Sequence, residues 1–316
     1  MSSNIGSNLS LACTALEKGE IVAFPTETVY GLGADATNKK AIARIFEMKG
    51  RPSFNPLICH IHDIGAAKNI AHVDDRALKV MEFFWPGPLT VVLPLQKNSL
   101  IAKNVCGGLD TIALRIPAHD VALNLLKMFD KPIAAPSANK SGEITLLRSQ
   151  DVWNAFHEFQ DFNILEGQTP YVGLESTILD LSQNTPLILR SGFITAENIQ
   201  NVLGVNVEYY ISQDDTQVRA PGMMLRHYAP KRNLRLDTAP VDGELYLGFG
   251  DVKCDLNLSL RGDLVEAAAN VYIMIKDLDD IVGDFQTIGV APIPHVGIGI
   301  AINDRLRRAS GFYDKR

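Results

Sequence analysis

Residues 49–57 read Lys49-Gly50-Arg51-Pro52-Ser53-Phe54-Asn55-Pro56-Leu57. Upstream, Ala41, Ile42, Ile45 and Phe46 recur at helical spacing, so residues 39–48 are expected to form an amphipathic helix. Pro52 lacks a backbone N–H and restricts the residue before it, so it stops that helix. Downstream, residues 57–61 are a short apolar run that reads as a strand. The stretch is therefore a helix-to-strand joint carrying two cations. A helix C-terminus tolerates Lys and Arg, and a mobile point charge beside a planar fork suits phosphates. A solvated Lys-Gly-Arg is the commoner fate of an isolated pair, so its neighbours must decide.

Working outward, strands are expected at 20–25, 89–95, 111–116, 132–135, 175–181 and 186–190. Helices are expected at 74–84, 119–129, 149–159 and 195–203. This interleaving predicts an α/β (mixed α+β) catalytic domain over residues 1–210. Residues 211–233 lose all amphipathic period and carry Pro221-Gly222 and Arg226-His227-Tyr228-Ala229-Pro230, the marks of a linker. Residues 234–316 read as a smaller α/β domain, with strands at 244–249, 253–258 and 288–293 and helices at 262–278 and 298–309.

The 316 residues suffice for two cores, and 46% hydrophobic with 21% charged residues is ordinary for a globular protein. The net charge is −6, and residues 1–210 hold 17 Lys and Arg against 21 Asp and Glu. A protein that coats nucleic acid over its whole surface is excluded; a local basic groove is not. Cys13, Cys59, Cys106 and Cys254 are scattered, with no zinc spacing, and fit reduced thiols. Neither a signal peptide nor a membrane-length apolar run is visible, so a cytoplasmic protein is expected.

Five constellations carry chemistry. Pro25-Thr26-Glu27-Thr28-Val29-Tyr30-Gly31-Leu32-Gly33 follows a strand and offers hydroxyls and two glycines; on its own it reads equally as a functional loop or as a Thr/Gly turn without a ligand. Lys49 and Arg51 are followed by Asn55 and by His60 on a strand face. In Thr111-Ile112-Ala113-Leu114-Arg115, period-2 alternation places Thr111, Ala113 and Arg115 on one face. An Arg within an apolar strand is costly unless it meets an anion, as substrate or as salt bridge. Ala134-Ala135-Pro136-Ser137-Ala138-Asn139-Lys140-Ser141-Gly142 suits an anion-binding nest without being a Walker loop. Gly173-Leu174-Glu175-Ser176-Thr177 brings hydroxyls into a strand, and Arg190-Ser191-Gly192 ends another. Hydroxyl and cation recur, while no Ser-His-Asp set or carboxylate cluster at metal spacing stands out. That favours a bound polyanion such as a nucleotide.

In this order, PTETVYGLG, KGRPSFNPLICHI, TIALRIP, PSANKSG, ESTILDL and ILRSG strongly resemble the YrdC-like threonylcarbamoyl-AMP synthase family. APGMMLRHYAP and GIGIAINDRLRRA resemble its longer members, which append a C-terminal domain. The resemblance covers nearly the whole chain. It implies a YrdC-like twisted mixed sheet flanked by helices, followed by a smaller Rossmann-like α/β domain. It also implies a nucleotidyltransferase that makes threonylcarbamoyl-AMP and pyrophosphate from L-threonine, bicarbonate and ATP with Mg²⁺. A downstream complex would transfer the threonylcarbamoyl group to adenosine in tRNA. Residue by residue, Thr28, His60, Arg115 and Ser176 resemble the threonine site. Lys49, Arg51, Asn55, Thr111, Ser137, Asn139 and Arg190 resemble the nucleotide side, with Lys49 and Arg51 as the catalytic charges. Arg226, His227 and Tyr228 of the linker are expected to close over the same pocket. The chain departs from the family's pattern at Thr145-Leu146-Leu147, where Ser/Thr-Pro-Thr is usual, and at Ser191 and Ala220. The alternative is a YrdC-like module that holds RNA on a local basic face without making an adenylate.

Overall fold

The computed structural model describes residues 5–210, 221, 228–283 and 286–311. The first unit contains β1 (Ile5–Gly6), α1 (Leu9–Glu17), β2 (Ile21–Phe24), β3 (Gly31–Asp35), α2 (Lys39–Lys49) and β4 (Ile58–His60). It continues through α3 (Ile64–Ile70), α4 (Asp75–Phe84), β5 (Leu89–Pro94), β6 (Thr111–Arg115), α5 (Asp120–Phe129) and β7 (Ile133–Ala134). It closes with α6 (Ser149–Phe156), β8 (Phe162–Leu165), β9 (Thr177–Asp180), β10 (Leu187–Arg190), α7 (Ala196–Leu203) and β11 (Glu208–Tyr209). The strands join in one mixed sheet of order β1-β8-β2-β3-β7-β4-β6-β5-β9-β10-β11.

The helix of the opening stretch forms as expected. Asn38 caps α2 by accepting from the Lys40 and Ala41 amides, and Ile42, Ile45 and Phe46 are buried. Its end is set by Gly50, two residues before Pro52. Gly50 adopts a left-handed φ of 60°, its amide bonds Glu47 O, and the Arg51 amide bonds Phe46 O. The last third of the expected loop over residues 25–33 is strand, because β3 starts at Gly31 and pairs antiparallel with β2. Gly33 therefore serves packing: a Cβ there would lie 2.6 Å from the Phe24 ring and 2.8 Å from Ile133. Helix α6 stops at Phe156, three residues before the expected end.

The second unit holds β12 (Asn233–Arg235), β13 (Leu245–Gly248), β14 (Leu256–Asn257), α8 (Leu264–Asp279), β15 (Thr287–Val290) and α9 (Gly299–Ser310). Its four strands pair in parallel in the order β12-β15-β13-β14. The first unit has its own core, and the core of the second reaches into the first. Val29, Ile144, Leu147 and Leu174 of the first are buried in one apolar cluster with Tyr228, Val271, Tyr272, Ile302 and Leu306.

Candidate functional site

The sheet order brings several strand ends to one place. His60 ends β4 and pairs in register with Arg115 at the end of β6, so both side chains emerge on the same face. Gly31 begins β3, Ser137 follows β7 and bridges back to Gly31, Ser176 precedes β9, and Arg190 ends β10. A cleft forms there. Its walls include Thr26, Thr28, Arg51, Ile58, His60, Arg115, Ser137, Glu175, Ser176, Arg190, Pro221 and Tyr228. Of the sequence-predicted residues, Thr28, Arg51, His60, Arg115, Ser137, Ser176, Arg190 and Tyr228 thus share one cavity. Arg226 and His227 lie outside the described residues.

Lys49, Asn55, Thr111 and Asn139 do not line it. Lys49 is fully buried beneath the 137–141 loop. Its ammonium donates to the carbonyls of Ser137, at 2.7 Å, and of Asn139, while its own carbonyl accepts from the Ser141 amide. Burial, and then the charge of Arg51, depress its pKa well below the usual lysine range. As the last residue of α2 it reaches under the loop instead of into the cleft, and so positions the loop. Asn139 acts in the same loop, donating to the Lys140 and Glu143 carbonyls at 2.9 Å each and accepting from the Ser137 hydroxyl at 2.5 Å. Asn55 props Arg51, whose Nη2 donates to Asn55 Oδ1 at 2.6 Å and to Pro56 O at 3.0 Å. Thr111 shares the face of Arg115 but begins the strand; four residues of extended chain span about 13 Å.

The cleft has three arginines in different states. Arg51 is buried, which lowers its pKa to about 10, with Tyr228 opposing the shift and Arg190 adding to it. Arg190 grips the approach to β9: Nε and Nη2 donate to Ser176 O at 3.1 and 2.9 Å, Nη2 donates to Ser176 Oγ at 3.1 Å, and Nη1 donates to Pro221 O at 3.2 Å. Arg115 donates from Nε to Gly87 O at 3.3 Å, and its Nη2 stands 2.8 Å from Glu27 Oε1. That contact lacks hydrogen-bond alignment: neither Glu27 oxygen accepts, and Arg115 Nη2 does not donate. The ion pair is nevertheless fully buried. With Nη2 in no hydrogen bond, Arg115 keeps donor capacity for a carboxylate in front of it.

Histidine and hydroxyls complete the walls. Burial, reinforced by Arg115, pulls the His60 pKa down to about 3, so the ring is neutral. Its Nδ1 has no partner, and its ring meets Phe24 edge-on at 5.8 Å. Thr26 Oγ1 organises its loop, donating to Val29 O at 2.7 Å and sharing a 2.8 Å hydrogen bond with Thr28 Oγ1. Ser176 Oγ shares a 2.7 Å bond with Thr90 Oγ1. Glu27, Thr90 and Glu175 are members of this site that the sequence reading did not assign. Charge balance was the available signal, because an arginine buried in a strand needs a carboxylate.

Such a cleft defines a binder of a compound anion, with guanidinium groups for its charges and hydroxyls for its polar edges. Two family models cover the chain: one for Sua5, YciO and YrdC proteins, described as "Telomere recombination", over residues 14–192, and "Threonylcarbamoyl-AMP synthase, C-terminal domain" over 194–311. The threonylcarbamoyl-AMP synthase of Pyrococcus abyssi is 37% identical, over 96% of this chain and 94% of its own. That of Bacillus subtilis is 35% identical, over 96% and 93%. The crystal structure of P. abyssi Sua5 complexed with L-threonine superposes with a TM-score of 0.88 at 34% identity, covering 98% of this chain and 97% of that one. The chain belongs to the threonylcarbamoyl-AMP synthase family, in the long form with a C-terminal domain.

Proposed function

We propose that this chain condenses L-threonine, bicarbonate and ATP into threonylcarbamoyl-AMP, releasing pyrophosphate. The observation that carries the reading is the gathering of Arg51, Arg115 and Arg190 with Thr28, His60, Ser137 and Ser176 around one cleft. Arg115 meets the amino acid carboxylate, with Thr28, neutral His60 and Ser176 as polar neighbours. Arg51 and Arg190 face the phosphates, and the Ser137 loop, stapled from below by Lys49, frames them.

The threonine amine adds the carbon of bicarbonate, losing water, to give a carbamate. A carbamate oxygen then attacks the α-phosphorus as its bond to the bridging oxygen breaks, and pyrophosphate departs with that electron pair. No protein nucleophile is required. Arg51 and Arg190 spread the charge that develops on the phosphate oxygens. Among the described residues no three His, Cys, Asp or Glu side chains converge to hold a metal. The cleft-side carboxylates, Glu27 and Glu175, are each committed to an arginine. Magnesium would enter on the triphosphate, as part of the substrate.

The product is a labile mixed anhydride, suited to hand-over to a downstream transferase acting on tRNA adenosine. Among the described residues no helix is long and apolar enough to cross a membrane, in keeping with a cytoplasmic site of action.

Pyrophosphate release from the purified chain tests the reading. It is expected to require threonine, bicarbonate and ATP together; release that ignores threonine would sink it, and no release at all would favour the RNA-holding module. Arg51→Ala is expected to lower turnover by about 100-fold or more, while the far-ultraviolet circular dichroism stays that of the folded chain.

A further inference from the structure

Glu175 is out of place in a cleft built for anions. Glu175 lines the wall beside Ser176 and Arg190, where phosphate binding disfavours negative charge. The second unit neutralises it. Arg305 on α9, 1% exposed, donates from Nε to Glu175 Oε2 at 2.9 Å. Tyr272 on α8 places its hydroxyl 3.0 and 3.2 Å from the two carboxylate oxygens, and Thr145 Oγ1 donates to Oε1 at 2.7 Å. Arg305 is itself anchored on the first unit, with Nη2 donating to Ser191 O at 2.7 Å, and by Asp304, at 2.7 Å from Nη1.

The backbone is shaped for this contact. Gly173, two residues before Glu175, has a left-handed φ of 71°, and a Cβ there would lie 2.4 Å from Ala268 O and Ala269 Cα of α8. Tyr228, on the cleft's outer wall, also has a positive φ, 68°, which a bulky side chain seldom adopts. Packing holds it there: Tyr272 lies 5.6 Å from its ring and the Arg305 guanidinium 5.4 Å from its centroid.

Resting on the reading of this cleft as an ATP site, we propose that Arg305 is a positioning residue acting across the two units. By satisfying Glu175 it leaves Arg190 to the nucleotide phosphates, and with Tyr272 it seats Tyr228 as the cleft's outer wall. Without Arg305, Arg190 is the cation beside Glu175 in the first unit; it turns to that carboxylate, and the unbalanced charge repels phosphate. The second unit thus completes the anion site without contributing a group that touches substrate.

The test is direct ATP binding by titration calorimetry on the full chain, as wild type, Arg305→Met, Glu175→Gln and the double variant, with folding checked by circular dichroism. Arg305→Met is expected to weaken ATP binding by about tenfold or more. The double variant, lacking the carboxylate, is expected to regain an affinity within about threefold of wild type. Threonine KM should move less than ATP KM. If Arg305→Met does not fold, the double variant decides alone: near-wild-type affinity supports the proposal and weak binding overturns it. Unchanged affinity in a folded Arg305→Met, or a double variant as weak as that single one, also overturns it. A wild-type chain that binds no ATP overturns the functional reading and this inference together, whereas normal wild-type binding with unaffected variants overturns this inference alone.

Discussion

Two buried arginine–glutamate pairs flank the cleft, and they are built differently. On the sheet side Arg115 and Glu27 come from neighbouring parts of one unit and meet at 2.8 Å without hydrogen-bond alignment. Across the units Arg305 and Glu175 meet at 2.9 Å, and each makes further hydrogen bonds. Burial alone would raise the Glu175 pKa, yet Arg305 and then Arg190 outweigh it and hold it down to about 2. A pair with all its bonds made is architecture; a pair with donor and acceptor capacity left over is poised for a ligand. Removing one member of a buried, bonded pair costs far more than the pair is worth, because the survivor is stranded.

The sharpest way to break the comparison is by stability. Glu175→Gln, which takes from Arg305 one of its two carboxylate partners and weakens three further hydrogen bonds, should lower unfolding free energy in urea by about 3 kcal/mol. Glu27→Gln has no aligned bond to lose but takes the counter-charge from buried Arg115, so its cost should be the smaller, about 2 kcal/mol. Equal losses would erase the distinction.

Next in size is ligand response. Arg115→Lys keeps the charge but loses the planar fork, and should raise the threonine KM by about 10-fold or more with ATP KM little changed. Arg305→Lys should leave threonine KM nearly unmoved. Steady-state kinetics of both variants read this directly.

The most gradual effect is on acid stability. His60 titrates near 3 in the folded chain against 6.5 ordinarily. Between those values the unfolded chain carries a proton that the folded chain lacks, so stability is full above pH 6.5 and falls as the pH drops. The slope from this group approaches about 1.4 kcal/mol per pH unit. Glu175, depressed from 4.5 to about 2, adds loss of the same sign at lower pH. His60→Gln should flatten the slope between pH 6.5 and 4.5 and leave below pH 4.5 only the Glu175 share of the loss. An unchanged upper limb in chemical-denaturation curves would assign it elsewhere.

Much of this was legible in residue order. The α2 stripe, the alternation that aims Arg115, and the β9 and β10 runs all lie where their periods place them. Strand β3 was not, because Gly-Leu-Gly-Ala-Asp is poor in strand formers and becomes extended through pairing with β2 and β7. Helix α1 buries Ala12, Cys13, Ala15 and Leu16 while exposing Leu11, so small buried residues and an outward leucine blur its apolar contrast. In the site, the cation types were readable and their directions were not. Lys49 and Arg51 stand two residues apart, yet one turns under a loop some ninety residues away while the other faces the cleft. Glu175 needed the fold most of all, since its partner lies 130 residues downstream.

The central claim is that this cleft joins a carbamoylated threonine to AMP. Mass analysis of the nucleotide products after incubation with threonine, ATP and ¹³C-bicarbonate tests it most directly. The account predicts threonylcarbamoyl-AMP carrying the heavy carbon, formed by the wild type and lost with Arg51→Ala. A wild-type reaction that yields no such adenylate, or one without the label, would contradict it.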